Sequence, residues 1–231
     1  MYGFNSYYMI CMAPAFILMM ITQWYVKSSF NKWMKVPLHT RLSGAEAAER
    51  LIRYAGLRGV RVEAVQGMLT DHYDPRSKVL RLSPQVYQGR SVASVAVAAH
   101  ELGHALQDQN GYLPLKLRSM MVPAVNIGSY LGWFLIFLGL VLNMLQLAEV
   151  GLIVFSLGAL FALVTLPVEF DASARARRLL REAGIVQTEE EAAGVNSVLR
   201  AAALTYVAAL VTAISQLLYY AMLIFGGRRR R

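Results

Sequence analysis

His100, Glu101 and His104 stand in the order H-E-x-x-H within Ser91–Gln109, a stretch that is otherwise mostly apolar and rich in small residues. On a helix, residues four apart lie on one face, so both imidazoles can reach a single ion. Imidazole suits zinc, and two histidines with one carboxylate leave a fourth position open for water. Glu101 follows the first histidine and can take a proton from a metal-activated water as it attacks a peptide carbonyl. Two histidines and a glutamate lodged in such a helix without a metal would need partners for three polar groups, and burying them unpaired is costly. The spacing therefore predicts zinc-dependent peptide hydrolysis, with His100 and His104 as ligands and Glu101 as base.

A third ligand must come from elsewhere in the chain. Asp108 lies four residues past His104 on the same helix and cannot easily close a tetrahedron. Glu169 and Asp171 sit directly after the third apolar stretch, in Pro167-Val168-Glu169-Phe170-Asp171-Ala172-Ser173. Carboxylates at a membrane boundary are commonly functional, which favours Glu169 as ligand over a plain interfacial partner of Arg175 or Arg177. Glu189–Glu191 read as a solvated helix start. An oxyanion stabiliser is also required, with Tyr206 and His72-Tyr73 as candidates. Residues 78–83 could form an exposed edge strand beside the zinc helix, to which an extended substrate adds by backbone hydrogen bonds.

The elements around these residues are punctuated clearly. Ser43 and Glu46 form a capping box ahead of a helix that Gly56 or Gly59 ends. Val60–Ala64 alternates as a strand, Asp74-Pro75 marks a turn, and Val79–Leu82 alternates again. Ser83-Pro84 fits a helix start, and Thr188 with Glu191 forms a second capping box. Uncharged stretches at 7–26, 119–148, 150–168 and 201–227 predict four membrane-spanning helices, the middle two joined by a turn near 143–149. The organisation expected is an anchor over 1–26, a catalytic domain over 27–118 and a transmembrane hairpin over 119–168. A helix over 169–200 would then carry the third ligand, and 201–231 a last span and basic tail.

Composition agrees with a membrane protein. Charged residues make up 16% of the chain, against about 25% in soluble domains. The net charge is +9, but no basic stretch is interleaved with aromatics as a nucleic-acid platform requires, so nucleic-acid binding is excluded. Cys11 stands alone, which rules out an intrachain disulfide and a cysteine zinc site. Of the 23 Lys and Arg, 19 fall within 27–118 and 169–200 and the other four are Arg228–Arg231. The positive-inside rule then puts the catalytic face in the cytoplasm, although the terminal arginines fall on the opposite side. Gly128, Gly132 and Gly139 could pack against a second copy or a membrane partner.

The stretches DHYDPRSKVLRLS, AAHELGHALQ, LPVEFDASARA and LTYVAA resemble the bacterial neutral zinc metallopeptidases of the YugP type, and the likeness covers most of the chain in the same order. More distant relatives are the HtpX-like proteases and the CAAX prenyl endopeptidases. The resemblance implies a mainly α integral membrane protein with a small α+β, zincin-like (gluzincin) catalytic domain, in the bacterial inner membrane, acting on protein or peptide substrates. It also strengthens Glu169 as the glutamate ligand. The wider relatives carry E-x-x-A-D, where this chain has Ser173 in place of the aspartate. Asp171 could support a histidine instead. Two rivals remain: a site-2-type intramembrane protease, if the zinc helix itself sinks into the bilayer, and a non-enzymatic zinc-binding adaptor, closed by His72 or Asp171 as fourth ligand.

Overall fold

The computed structural model describes residues 2–226, with side chains from Tyr8 onward. The elements run α1 (Tyr2–Met34), α2 (Gly44–Tyr54), β1 (Arg61–Ala64), β2 (His72–Asp74), β3 (Val79–Leu82), α3 (Pro84–Gln88), α4 (Val92–Gln109), α5 (Leu113–Val141), α6 (Leu145–Glu182) and α7 (Glu189–Gly226). Among these, α1, α5, α6 and α7 are long and apolar enough to cross a membrane. The protein is thus a mainly α membrane protein with a small α+β region. Two compact units result. One comprises the described chain up to Thr22, Lys116–Leu166 and the segment from Thr205; the other comprises Gln23–Leu115 and Pro167–Leu204.

All four long helices outrun the uncharged stretches that announce them. α1 continues to Met34, α5 begins at Leu113, α6 runs on to Glu182 and α7 begins at Glu189. A helix satisfies its own backbone, so continuing it loses no hydrogen bonds, and the extensions have apolar faces to bury. Phe30 and Trp33 on α1, Ala176, Leu179 and Leu180 on α6, and Val195, Val198 and Leu199 on α7 all enter one core. Arg228–Arg231, whose side of the membrane was at issue, lie outside the described residues.

In the first unit, α5 and α6 form a hairpin. Asn143 takes the left-handed φ of 57° that such a reversal needs, and Met144 N–H donates back to Gly139 O at 2.8 Å. The helices touch through glycine: a Cβ on Gly132 would sit 2.6 Å from Phe155 N, and one on Gly139 would sit 2.5 Å from Ala148 N. The glycines expected to meet a partner protein therefore face α6 of the same chain. In lipid, where apolar burial gives helices little reason to associate, such close backbone contact is what joins them.

In the second unit, α4 is the central element. Its face from Val92 through Ala105 is buried almost throughout, enclosed by α2, α3, the sheet and parts of α6 and α7. Both capping boxes form. Ser43 Oγ accepts from Glu46 N–H while Glu46 Oε2 accepts from Ser43 N–H, and Thr188 and Glu191 repeat the exchange. These bonds hold the Glu46 carboxyl below its ordinary range. Glu191 is not solvated, as its neighbours Glu189 and Glu190 are. It is 4% exposed and also accepts from His39 N–H and Gln187 N–H, because a capping-box glutamate must fold back onto the backbone.

The sheet order is β1-β3-β2, with β1 parallel and β2 antiparallel to β3. The stretch 78–83 expected at an edge is therefore paired on both sides, and Val79, Leu80 and Leu82 are buried. The edge strand beside α4 is β2 instead. Ser83 does start α3, but its hydroxyl does not cap it; Ser83 N–H and Oγ both donate to Asp71, which fastens the chain just ahead of β2. Burial pushes the Asp71 carboxyl up despite those bonds.

Candidate metal centre

Within the second unit α4 presents His100 and His104 one turn apart, their ring centroids 4.9 Å from each other. α6 crosses this turn at closest approach. A Cβ on Gly103 would lie 2.4 Å from Ala172 O, so only glycine lets the two backbones meet there. That contact brings Glu169, one helical turn before Ser173, onto the histidines. Glu169 Oε2 is 3.2 Å from His100 Nε2 and 3.7 Å from His104 Nε2. The carboxylate is 2% exposed and each imidazole 12%. One ligand atom from each of the three residues lies within 4.8 Å of the others.

These residues fit a zinc ion. Bonds of about 2.0–2.1 Å in a tetrahedron place ligand atoms roughly 3.3–3.4 Å apart, close to the 3.2 and 3.7 Å that separate Glu169 Oε2 from the two imidazoles. A buried carboxylate facing two imidazoles is also a site that wants a cation. Burial opposes protonation of His104, yet the bond to Glu169 and the charges of Glu101 and Glu169 outweigh it and raise its pKa. Among the described residues no fourth His, Cys, Asp or Glu joins the cluster.

Glu101, the next residue along α4, is partly buried. Its Oε2 accepts the outward N–H of Tyr73 on edge strand β2 at 3.1 Å. Burial pushes its carboxyl above the ordinary range, while the neighbouring imidazoles pull it back. The Tyr73 hydroxyl donates to Asp108 at 3.0 Å, so β2 is tied to α4 at two points. Burial and then that bond raise the tyrosine pKa.

The other candidates separate. Ser173, which replaces the aspartate of E-x-x-A-D, places Oγ 3.2 Å from His100 Nδ1. Asp171 is not in the cluster; it accepts from Arg175 Nε at 2.6 Å and from Gln107 Nε2 at 2.8 Å. His72 is exposed, its Nδ1 2.8 Å from Thr70 O. Tyr206 is on α7 in the other unit. Neither His72 nor Asp171 is placed as a fourth ligand, and Tyr73 has its hydroxyl engaged elsewhere.

Gln107 escaped sequence reasoning. It is fully buried; Oε1 is 3.0 Å from His104 Nδ1 and Nε2 donates to Val168 O at 2.7 Å. The available signal was its position: three residues past His104, on the same face of a buried helix, where a polar side chain needs partners.

Comparison with known proteins agrees with this centre. No solved structure matches the chain. The "Putative membrane protease YugP" of Bacillus subtilis (strain 168) is 47% identical over 206 residues, covering 89% of this chain and 91% of the relative. A family model described as "Putative neutral zinc metallopeptidase" matches residues 8–225. A match of that extent, over a helix pair that brings two histidines and a glutamate to one point, places the chain in that zinc metallopeptidase family.

Proposed function

We propose that the protein is a membrane-embedded zinc endopeptidase in which His100, His104 and Glu169 hold the metal and Glu101 is the base. The observation that carries this is the convergence of three ligand atoms within 4.8 Å beside a carboxylate on the same helix. Zinc bound there would activate a water and polarise the scissile carbonyl. The chain's own residues do the rest. Tyr73 N–H holds Oε2 of Glu101, which leaves Oε1 to take the proton from water and return it to the departing amine. Residues 78–83, paired on both sides, offer an extended substrate no free edge.

Two observations speak against the rivals. A structural zinc site is closed by four protein ligands, and three converge here. α4 is not among the helices suited to cross a membrane and is enclosed in a core of α2, α3 and the sheet, unlike the lipid-immersed helix of a site-2-type protease.

The test is metal removal. Full-length protein in detergent should contain one zinc per chain and cleave an unfolded model protein. A chelator should abolish cleavage and added zinc restore it. A purified protein that never takes up zinc ends the proposal.

The bacterial inner membrane, with the catalytic residues on the cytoplasmic side, is the location favoured by the 19 Lys and Arg of 27–118 and 169–200. With Cys11 replaced by serine, a cysteine placed at the exposed Ser77 should then react with an impermeant thiol reagent only after cells are opened. Labelling of intact cells would reverse the assignment.

A further inference from the structure

We propose that Gln107 is a positioning residue that sets, through one side-chain amide, both the tautomer of His104 and the seat of Glu169; this rests on the zinc reading above. The orientation of the amide is forced. Val168 O can only accept, so the group 2.7 Å from it is the NH2. Oε1 must then face His104 Nδ1, and an acceptor there requires Nδ1 to carry the proton. The lone pair of His104 is thereby on Nε2, the atom that faces Glu169. A neutral imidazole left to itself could hold its proton on either nitrogen, and only one choice allows binding through Nε2.

The same amide grips α6. Its two N–H groups go to Val168 O, one residue before the third ligand, and to Asp171 Oδ2, two residues after it. Arg175 Nε donates to that same Oδ2 at 2.6 Å, and its guanidinium stacks over Tyr112, 5.7 Å from the ring centroid. A chain of contacts thus runs from His104 through Gln107 and Asp171 to Arg175. Gln107 links the ligands of α4 to the ligand of α6, which are 65 or more residues apart in sequence. Ser173 on α6 adds a separate contact to α4, its Oγ 3.2 Å from His100 Nδ1.

The experiment measures zinc affinity of the full-length protein by competition with a chelating dye, together with the absorption bands of the cobalt-loaded form. Gln107→Leu keeps the volume and removes the hydrogen bonds. It should weaken zinc binding about 10–100-fold and shift the cobalt bands, while the thermal transition of the zinc-free protein moves little. Asp171→Ala should weaken binding by a smaller factor. Asp171→Asn, whose carbonyl can still accept from Gln107, should restore it. Wild-type affinity and an unshifted cobalt spectrum in Gln107→Leu overturn the proposal. Should that variant fail to fold, the Asp171 pair decides: Asp171→Ala indistinguishable from wild type overturns it equally. A wild type without zinc would instead overturn the metallopeptidase reading itself, a different and separately visible failure.

Discussion

Replacing Glu101 with glutamine should lower the rate of peptide cleavage about 10²–10⁴-fold and leave the zinc content unchanged. Glutamine has nearly the same shape, and its carbonyl oxygen can still accept the Tyr73 N–H that now reaches Oε2. What it cannot do is take a proton. The loss should fall on kcat, with KM close to wild type, because the proposed role of a base is exerted on the reacting atoms and not on substrate binding. Burial raises the Glu101 carboxyl, so its conjugate acid keeps its proton more readily than an exposed glutamate would. Cleavage at the wild-type rate in Glu101→Gln would remove it from the chemistry. Loss of zinc along with activity would make it part of the metal-binding set instead.

The second large effect is expected at a residue with no functional group. Gly103→Val should cost about fivefold or more in zinc affinity. Even a single methyl at this position would lie 2.4 Å from Ala172 O and 3.0 Å from Ala172 C, and these are backbone atoms that cannot swing aside. Valine would force α4 and α6 apart. Overpacking of this kind costs about 1–3 kcal/mol, or roughly 5–150-fold in binding. His100 and His104 would remain a pair on α4, but Glu169 would withdraw from them. Isothermal titration with zinc checks this. Full affinity in Gly103→Val would mean that Glu169 does not depend on the crossing.

The parts of this arrangement that were legible in the sequence are those set by local rules. H-E-x-x-H can be read because four residues make nearly one turn. Both capping boxes formed where Ser43-Glu46 and Thr188-Glu191 announced them. Glu169 was reached only through its place after an apolar stretch, helped by resemblance. What could not be read depends on distant pairing. β1 joins β3 in parallel across an intervening strand, which moves 79–82 to the middle of the sheet and leaves β2 at the edge. Nothing near Val79 signals that. Gln107 looks like any polar residue late in a helix until Val168 of another helix is seen against it. The burial of Glu191 likewise appears only once the chain at His39 is laid over it.

The hairpin between α4 and the glutamate of α6 also has a consequence in time. His100 and Glu169 are 69 residues apart. At a synthesis rate of about 5–20 residues per second, the ribosome makes the histidines roughly 3–14 s before the glutamate. During that interval the nascent chain carries half a centre, two imidazoles without their carboxylate. The order of synthesis therefore delays the candidate metal centre until the two hydrophobic helices before Glu169 have been made, so a chain truncated within the hairpin is left without a complete one.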